Sequence, residues 1–297
     1  MLCKRLKARS ARIYSMTKGY ADLHLHTIAS DGTQTVEDLV RRAKATALHC
    51  IAITDHDIIS PDLTSRMTSM LGLEVITGVE VKAMFGDVEG ELLAYFVDPA
   101  DSGLSGLLGP LCSSRDERMM RMAELCREHL GIDIDYAEIR AAAGGGNIGR
   151  PHLARILMEK GAVDNFQEAF ATLIGKGCPC FYAIDKPDYR DAVRILKEAG
   201  GAVSVAHPCL MTIPEWDTFL DELAAEGVDG LETVYPYNPL SRSLTIEPQV
   251  LATKAEKRGF LVTGGSDDHG HGSTKESLGT IRLPHEHVEA LMRAAGL

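Results

Sequence analysis

Histidines and carboxylates cluster at one kind of position in this chain, at or just after short apolar runs. In the stretch GYADLHLHTIASDG, His24 and His26 are two residues apart, so they point to the same face of an extended strand. Imidazole and carboxylate groups without a required thiolate bind Mn, Fe or Zn, and Mg is also compatible. Similar candidates accompany four further apolar runs: His56, Glu80, His207, Asp267 and His269. One ion cannot use so many ligands, so the pattern predicts two or three divalent metal ions.

The apolar runs alternate with amphipathic segments towards both ends of the chain, which is typical of a parallel β/α sheet or barrel. We expect strands at 20–24, 50–54, 75–81, 92–97, 202–206, 230–234 and 260–263. We expect helices between them at 36–47, 189–199, 214–226 and 248–258, the first of them capped by Thr35 with Asp38 three residues on. In a β/α barrel the strand ends converge on one face, so the ligands should meet there.

The middle of the chain has a different pattern, with helix following helix and no convincing strand. The sequence therefore predicts a barrel made of residues 19–104 and 186–297, with a helical insertion or lid at 105–185. Residues 1–18 are basic and lack the apolar core of a secretory signal, so we expect a disordered extension there.

Charge and cysteine content limit the partners and the compartment. The formal net charge of −11 disfavours binding to duplex nucleic acid, because long-range electrostatics would repel its backbone. Seven cysteines without framework spacing suit a reducing cytoplasm, and no stretch is long and apolar enough to span a membrane. We therefore expect a cytoplasmic protein without a membrane anchor, whose oligomeric state the sequence does not indicate.

Taken together, the motifs resemble the PHP family, named for polymerase and histidinol phosphatase. The resemblance runs from about residue 20 to residue 283 and rests on HLH, SDG with Asp31, TDHD, GVEV, AHP and GSDDH. GRPHLAR at 149–155 and YP at 235–236 are similar to its stand-alone phosphoesterases. The resemblance implies a distorted (β/α)7 barrel with a trinuclear metal centre that hydrolyses phosphate esters. The implied ligands are His24, His26, Glu80 and Asp267 for one ion, Asp31, His56 and His269 for a second, and Glu80 with His207 for a third.

The chain departs from the family pattern at Glu91, where ELLAYFVD aligns with the usual HLLGYFID and a metal-binding histidine is expected. Glu89 and Glu91 share one face of a strand, so Glu91 can reach the barrel rim near Glu80 and act as a carboxylate ligand. A harder oxygen donor would shift the third site from Zn towards Mn, Fe or Mg. The alternative is that Glu91 turns to solvent and the third site is vacant.

The implied reaction is attack on phosphorus by a metal-activated hydroxide, with His207 and Asp267 as candidates for proton transfer. Arg150 and His152, at the start of a predicted helix, are candidates for holding a substrate phosphate, since a helix N-terminus and an Arg fork both suit anions. Their structural alternative is an arginine capping a neighbouring helix and a buried histidine. Arg115, Arg118 and Arg121 recur at helical spacing and are expected to form an exposed face.

The substrate class stays open at this point. A small phosphorylated metabolite is expected, such as a nucleotide, nucleoside bisphosphate, sugar phosphate or cyclic phosphate. Alternatives are a 5′-3′ exonuclease on short RNA or DNA ends and a non-catalytic metal-binding regulatory module.

Two cysteine motifs are also present. The segment from Cys112 to Arg118 fits the Cys-x5-Arg spacing of thiol phosphatases but lacks a Gly-rich phosphate cradle. The CPC segment at 178–180 is expected to be a turn.

Overall fold

A computed structural model describes residues 19–237, 244–273 and 275–297. The predicted basic extension at 1–18 lies outside the described residues. The strands are β1 (Tyr20–Leu25), β2 (Cys50–Ile53), β3 (Met67–Met70), β4 (Leu73–Phe85), β5 (Val88–Tyr95), β6 (Ala202–Val205), β7 (Gly230–Val234), β8 (Leu261–Gly264) and β9 (Leu283–Pro284). The helices are α1 (Val36–Ala45), α2 (Ser102–Leu130), α3 (Tyr136–Ala142), α4 (Arg150–Glu159), α5 (Phe166–Thr172), α6 (Tyr189–Glu198), α7 (Trp216–Ala225), α8 (Pro248–Glu256) and α9 (His285–Ala294).

The described strands form one curved sheet in the order β8-β7-β6-β5-β4-β2-β1-β9, with β3 paired to β4. Its two sides approach each other where Leu25 pairs with Asp268 and the His26 N–H donates to the Asp268 carbonyl at 3.0 Å. Seven strands (β1, β2 and β4 to β8) thus make a nearly closed barrel. The expected α/β fold and distorted (β/α)7 barrel agree with this architecture.

One strand corrects the expectation of a parallel sheet. β5 runs antiparallel to both β4 and β6, whereas β1–β2, β2–β4, β6–β7 and β7–β8 are parallel. The reason is the connection: only two residues, Gly86 and Asp87, separate β4 from β5. Gly86 has a positive φ of 62°, which suits a tight hairpin, whereas a parallel pair needs a long crossover.

Local sequence explains most of the barrel elements. β2 is buried at all four positions of CIAI, because a strand covered on both faces needs a continuous apolar run rather than alternation. α1 begins where Thr35 accepts the Asp38 N–H, as predicted, and it buries its apolar face. β3, β9 and α9 were not expected from the apolar runs.

Helices α2 to α5, residues 102–172, form what we call the helical segment. The first half of α2 packs into the barrel core through Leu104, Leu108 and Leu111. Its second half packs, through Met119 and Met122, into a separate hydrophobic cluster shared with α3, α4 and α5. α2 therefore anchors a second apolar core to the barrel. The exact division into barrel and insertion stays a prediction.

Among the described residues, every helix is too short or too polar to cross a lipid bilayer.

Candidate metal centre

The predicted metal ligands meet at one end of the barrel. β1 brings His24 there and His26 follows directly after the strand; both are fully buried, and the ring centroids of the two imidazoles lie 5.1 Å apart. His26 also lies 4.2 Å from His269 and 4.5 Å from His56, centroid to centroid. Four groups of side chains bring ligand atoms within 4.8 Å of one another: His26, Asp31, His56 and His269; His24, His26 and Asp267; His24, Glu80 and His207; and His56, Glu80 and Glu91. We call these nine residues the ligand cluster.

Glu80 lies at the centre of the ligand cluster. Its carboxylate oxygens lie 2.8 Å from His56 Nδ1, 3.2 Å from His207 Nε2 and 3.4 Å from His24 Nε2. Glu80 is 1% exposed, so few water molecules can reach it. His26 Nε2 also lies 3.5 Å from Glu80, and one carboxylate in contact with four imidazoles has the position expected of a bridging ligand.

Unpaired buried atoms show that the ligand cluster fits metal ions. His24 Nε2 and both ring nitrogens of His26 are buried and make no hydrogen bond, whereas His56 Nδ1 and Glu80 Oε2 face each other at 2.8 Å. Each buried polar atom without a partner costs about 1 to 3 kcal/mol. Several such lone pairs converge on one buried space, and a divalent cation would satisfy them together.

The imidazoles and carboxylates of the cluster shift one another's pKa values. Burial, with His269 and His56 close by, lowers the pKa of His26 to about 3. Burial opposes ionisation of the other histidines as well, yet nearby carboxylates raise the pKa values of His24 and His56 and raise that of His207 to about 9. Burial also opposes ionisation of the carboxyls, but the charged imidazoles hold the pKa values of Asp31 and Glu80 well below their usual range. Metal ions bind neutral imidazole, so a divalent ion would displace the protons of these histidines.

Glu232 holds two residues of the ligand cluster in place, and the sequence patterns did not identify it as a site residue. It is fully buried on β7, with Oε1 at 3.0 Å from His24 Nδ1 and Oε2 accepting the His207 N–H at 2.8 Å. With the proton on Nδ1, His24 keeps Nε2 as a ligand atom. The available signal was a carboxylate inside the apolar run GLETV.

Asp55 holds the loop that carries Asp31. Its two oxygens accept hydrogen bonds from the Thr27 N–H at 2.7 Å, the Thr27 hydroxyl at 2.6 Å and the Ser30 hydroxyl at 2.6 Å. Asp55 is fully buried behind the site. It therefore positions the chain around Asp31, and both of its oxygens are already occupied by hydrogen bonds.

Backbone strain accompanies the ligands that follow β6 and β8. His207 has a φ of 30° and Asp267 a φ of 55°, in the left-handed region that residues with a side chain rarely adopt. Such residues cost on the order of 1 to 3 kcal/mol and persist only where their surroundings fix them. The Glu232 carboxylate on the His207 N–H, and the Tyr235 hydroxyl, which donates to Asp267 Oδ2 at 2.7 Å, provide that fixation.

A cavity of about 500 Å³ lies between the ligand cluster and the helical segment. Asp31, His56, Glu91, His207 and His269 line its barrel side. The helical segment contributes cations and aromatic rings on the other side: Arg115, Arg118, Arg150, Arg155, Phe166 and Phe170. One space therefore has carboxylates and imidazoles on one wall and guanidinium groups on the opposite wall.

The expected exposed arginine face is wrong for two of its three members. Arg115 and Arg118 are only 6% and 7% exposed, whereas Arg121 is at the surface. Residues three apart on a helix are turned by about 60° from one another, so Arg121 has turned away while Arg115 and Arg118 face the cavity. Arg115 donates to Asp57 Oδ2 at 2.7 Å through Nε.

Arg118 and Arg150 form a pair of guanidinium groups beside aromatic rings. Arg118 Cζ lies 5.4 Å from the Phe181 ring centroid, and Arg150 Cζ lies 5.2 Å from that of Phe170. Burial, with Arg150 and Arg115 close by, lowers the pKa of Arg118 to about 9. Arg118 Nε is buried without a hydrogen-bond partner, so its N–H can donate to an anion that binds in the cavity.

His152 is buried at the start of α4 and does not line the cavity. Its Nδ1 accepts the Gly149 N–H at 3.0 Å, so this nitrogen is already occupied. Burial lowers the pKa of His152, which favours the neutral ring with its proton on Nε2. The predicted pair therefore separates: Arg150 lines the cavity, and His152 caps the helix that presents it.

The two cysteine motifs contribute no thiol to this site, although Arg118 of the first lines the cavity. Cys112 Sγ contacts the Asp57 carbonyl at 3.3 Å, and burial raises the pKa of its thiol, which opposes formation of a nucleophilic thiolate. The CPC segment lies in a series of turns, as expected.

Fold and site together define a barrel hydrolase that uses divalent metal ions, and comparison with known proteins agrees. The PHP domain matches residues 22–174, just over half of the chain. The chain is 31% identical over 220 residues to a 5′-3′ exoribonuclease of Haemophilus influenzae, covering 73% of this chain and 79% of the relative. It is 27% identical over 275 residues to a 3′,5′-nucleoside bisphosphate phosphatase of Chromobacterium violaceum, covering 89% of this chain and 92% of the relative.

A solved structure agrees over nearly the whole chain. A protein of Bifidobacterium adolescentis, described as a metal-dependent phosphoesterase, superposes with a TM-score of 0.79 at 30% identity, covering 92% of this chain and 96% of that one. The chain belongs to the PHP family. It is a metal-dependent phosphoesterase, a hydrolase of phosphoric esters.

Proposed function

We propose that this phosphoesterase removes a phosphate from a small nucleotide, with a nucleoside bisphosphate as the best substrate. The observation behind the proposal is the cavity that joins the ligand cluster to the Arg118–Arg150 pair. A substrate with two anionic groups can place one phosphate at the metal ions and the other at the guanidinium groups. The 3′,5′-nucleoside bisphosphate phosphatase of Chromobacterium violaceum acts on a substrate of this kind.

The ligand cluster holds the metal ions in this proposal. His24, His26, Glu80 and Asp267 would hold one ion, and Asp31, His56 and His269 would hold a second. His207 and Glu91 face a third cation position beside Glu80. When bound, the divalent ions supply an activated water and neutralise the phosphoryl oxygens.

The remaining steps belong to the protein side chains. His207 Nε2 faces the cavity beside Glu80 and Glu91, where it can donate a proton to the leaving oxygen. Asp267 Oδ1, 3.3 Å from His26 Nε2, is the candidate acceptor for the proton of the attacking water. Arg150 binds the phosphate oxygens, and His152 fixes the start of α4 so that Arg150 points into the cavity.

Aromatic residues on α5 favour a nucleotide over a sugar phosphate. Phe166 and Phe170 are four residues apart, so they share one face of the helix, and both line the cavity. A ring stacked on a base contributes about 1 to 3 kcal/mol, whereas a sugar phosphate has no planar group to stack. Gln167, between them at the cavity edge, offers an amide to the base.

An exonuclease on short RNA ends is the second candidate, because the exoribonucleases of Haemophilus influenzae and Escherichia coli are relatives of this chain. The same cavity would then hold a terminal nucleotide. The net charge of −11 still disfavours duplex nucleic acid, and a cytoplasmic location stays a prediction.

Hydrolysis by Mn-loaded protein tests the proposal, with phosphate release measured for the monoesters and with chromatographic product analysis for the cyclic phosphate and the RNA. The panel contains a nucleoside 3′,5′-bisphosphate, a nucleoside monophosphate, a sugar phosphate, a cyclic phosphate and a 5′-phosphorylated RNA trimer. The bisphosphate should give the highest kcat/KM. A preference for the sugar phosphate or the cyclic phosphate would contradict the proposal, and a preference for the trimer would favour the exonuclease.

Two inhibitors separate the remaining alternatives in the same assay. EDTA should abolish hydrolysis and iodoacetamide should leave it intact. The opposite pattern would indicate a thiol phosphatase. Bound metal without hydrolysis of any ester would indicate a regulatory module.

A further inference from the structure

Lys82 is a cation inside the ligand cluster to which the sequence patterns assigned no role. It lies on β4, two residues after the bridging Glu80, and its register partner on the antiparallel strand β5 is Glu91. Lys82 Nζ donates to Glu91 Oε1, and both side chains line the cavity. The ladder between β4 and β5 therefore fixes an ammonium group beside the position where the family pattern has a metal-binding histidine.

Glu91 is not turned to solvent, since its side chain is only 15% exposed. Its Oε1 binds Lys82, and its Oε2 lies 3.3 Å from His207 Nε2. A divalent ion placed between Glu91, His207 and Glu80 would have to share the Glu91 carboxylate with a fixed positive charge. Like charges at such short range repel strongly in a buried site, where screening is weak.

The departure from the family pattern therefore has two linked parts. Histidine at position 91 would be a neutral ligand that could not balance the charge of an ammonium group. Glutamate at the same position binds Lys82 and balances its charge. The pair is neutral overall, and it holds an ammonium group at the third cation position without a metal ion.

We propose that the Lys82 ammonium, held by Glu91, replaces the third metal ion, so that the protein works with two divalent ions. This inference rests on the proposed phosphoesterase function. An ammonium group has three N–H donors, and one of them is used by Glu91. The others are available to a phosphoryl oxygen in the cavity, so Lys82 binds the substrate at the point where a third ion would otherwise neutralise it.

Metal content, measured by elemental analysis after EDTA treatment and reconstitution with Mn, is the first test. Wild-type protein should hold two ions per chain. The double variant Lys82→Gln/Glu91→His removes the ammonium and restores the histidine, so it should hold three. The matched control is Lys186→Gln. Lys186 Nζ lies 3.2 Å from Oε2 of Glu89, which is on β5 like Glu91, but Lys186 does not line the cavity. This variant should hold two ions per chain.

Kinetics give the second test on the same samples. Lys82→Gln should lose kcat/KM by about 100-fold, as expected for removal of a charged donor to the phosphoryl group. The double variant should recover to within about 10-fold of wild type, because a metal ion then supplies the missing charge. Lys186→Gln should match wild type.

Three ions in wild type, two in the double variant, or an unchanged kcat/KM in Lys82→Gln would each overturn the inference. The wild-type count needs no variant, so a folding defect cannot hide the result. If the proposed function is wrong, the result is different: wild-type protein shows no hydrolysis that EDTA abolishes.

Discussion

The barrel end and the helical segment face the same cavity with opposite chemistry. The barrel contributes carboxylates and buried imidazoles with unpaired lone pairs, fixed by strand ends and by Glu232. The helical segment contributes Arg118 and Arg150, which lie beside aromatic rings on a separate hydrophobic core. The first surface offers ligands to cations, although Lys82 and Lys275 also lie there, and the second offers cations and aromatic rings. Under the proposed function the helical segment binds substrate without binding metal, so mutations in it should leave metal content unchanged.

The largest effect is expected from the barrel side. Glu80→Gln keeps the shape of the side chain but removes the charge that contacts His24, His56 and His207. At least one metal ion per chain should be lost, and kcat/KM should fall more than about 1,000-fold. Elemental analysis and phosphate release on the same sample measure both effects. Full metal content in this variant would refute the bridging role.

Arg150→Ala tests whether the helical segment binds the substrate phosphate. The loss of a charge-assisted phosphate contact should lower kcat/KM by about 100- to 1,000-fold while metal content stays unchanged. Arg121→Ala is the matched control, because Arg121 is exposed on α2 and forms only surface ion pairs with Glu124 and Glu128. Loss of metal in Arg150→Ala would show that the two parts are not separable. An unaltered kcat/KM would leave Arg150 with a structural role only.

Asp22 tests whether the polar barrel interior costs stability. Burial raises its pKa from 3.8 to about 7, so between these pH values the folded state holds a proton that the unfolded state has lost. The contribution of Asp22 to the free energy of unfolding should therefore fall as pH rises from about 4 to 7. Asp22→Asn cannot ionise, so in EDTA its stability relative to wild type should increase over this range by a few kcal/mol.

Urea unfolding at pH 4 and pH 8 measures this difference. A stability difference between variant and wild type that is constant across pH would contradict it. No comparable effect is expected from Arg121→Ala in the helical segment.

Phe166→Leu should have the smallest effect and should depend on the substrate. The variant keeps an apolar side chain but removes the ring that lines the cavity, so KM for a nucleoside bisphosphate should rise about 10-fold. KM for a sugar phosphate should not change, because no base is stacked. Equal changes for both substrates would argue against a base-binding role for α5.

The two regions also differ in how far the sequence predicts them. His24, His26 and Asp267 could be identified because a polar ligand beside a buried apolar run is unusual and the strand period fixes its direction. Arg118 could not, because an arginine at helical spacing usually faces solvent, and only the placement of α2 over the barrel buries it. Glu232 was missed because its partners, His24 and His207, are distant in the chain.

The antiparallel β5 and the Lys82–Glu91 pair share a physical cause. Both follow from the hairpin at Gly86, which sets Lys82 opposite Glu91 in the ladder. Strand patterns predict which residues share a face, but register between strands depends on the length of the turn. The departure at Glu91 was therefore visible in the sequence, whereas its partner was not.

The number of Mn ions per chain in wild-type protein, measured by elemental analysis after EDTA treatment and reconstitution, decides whether the barrel end is a metal centre. The ligand cluster predicts at least two ions, bound before any substrate is added. Fewer than one ion per chain would contradict a metal centre at the barrel end.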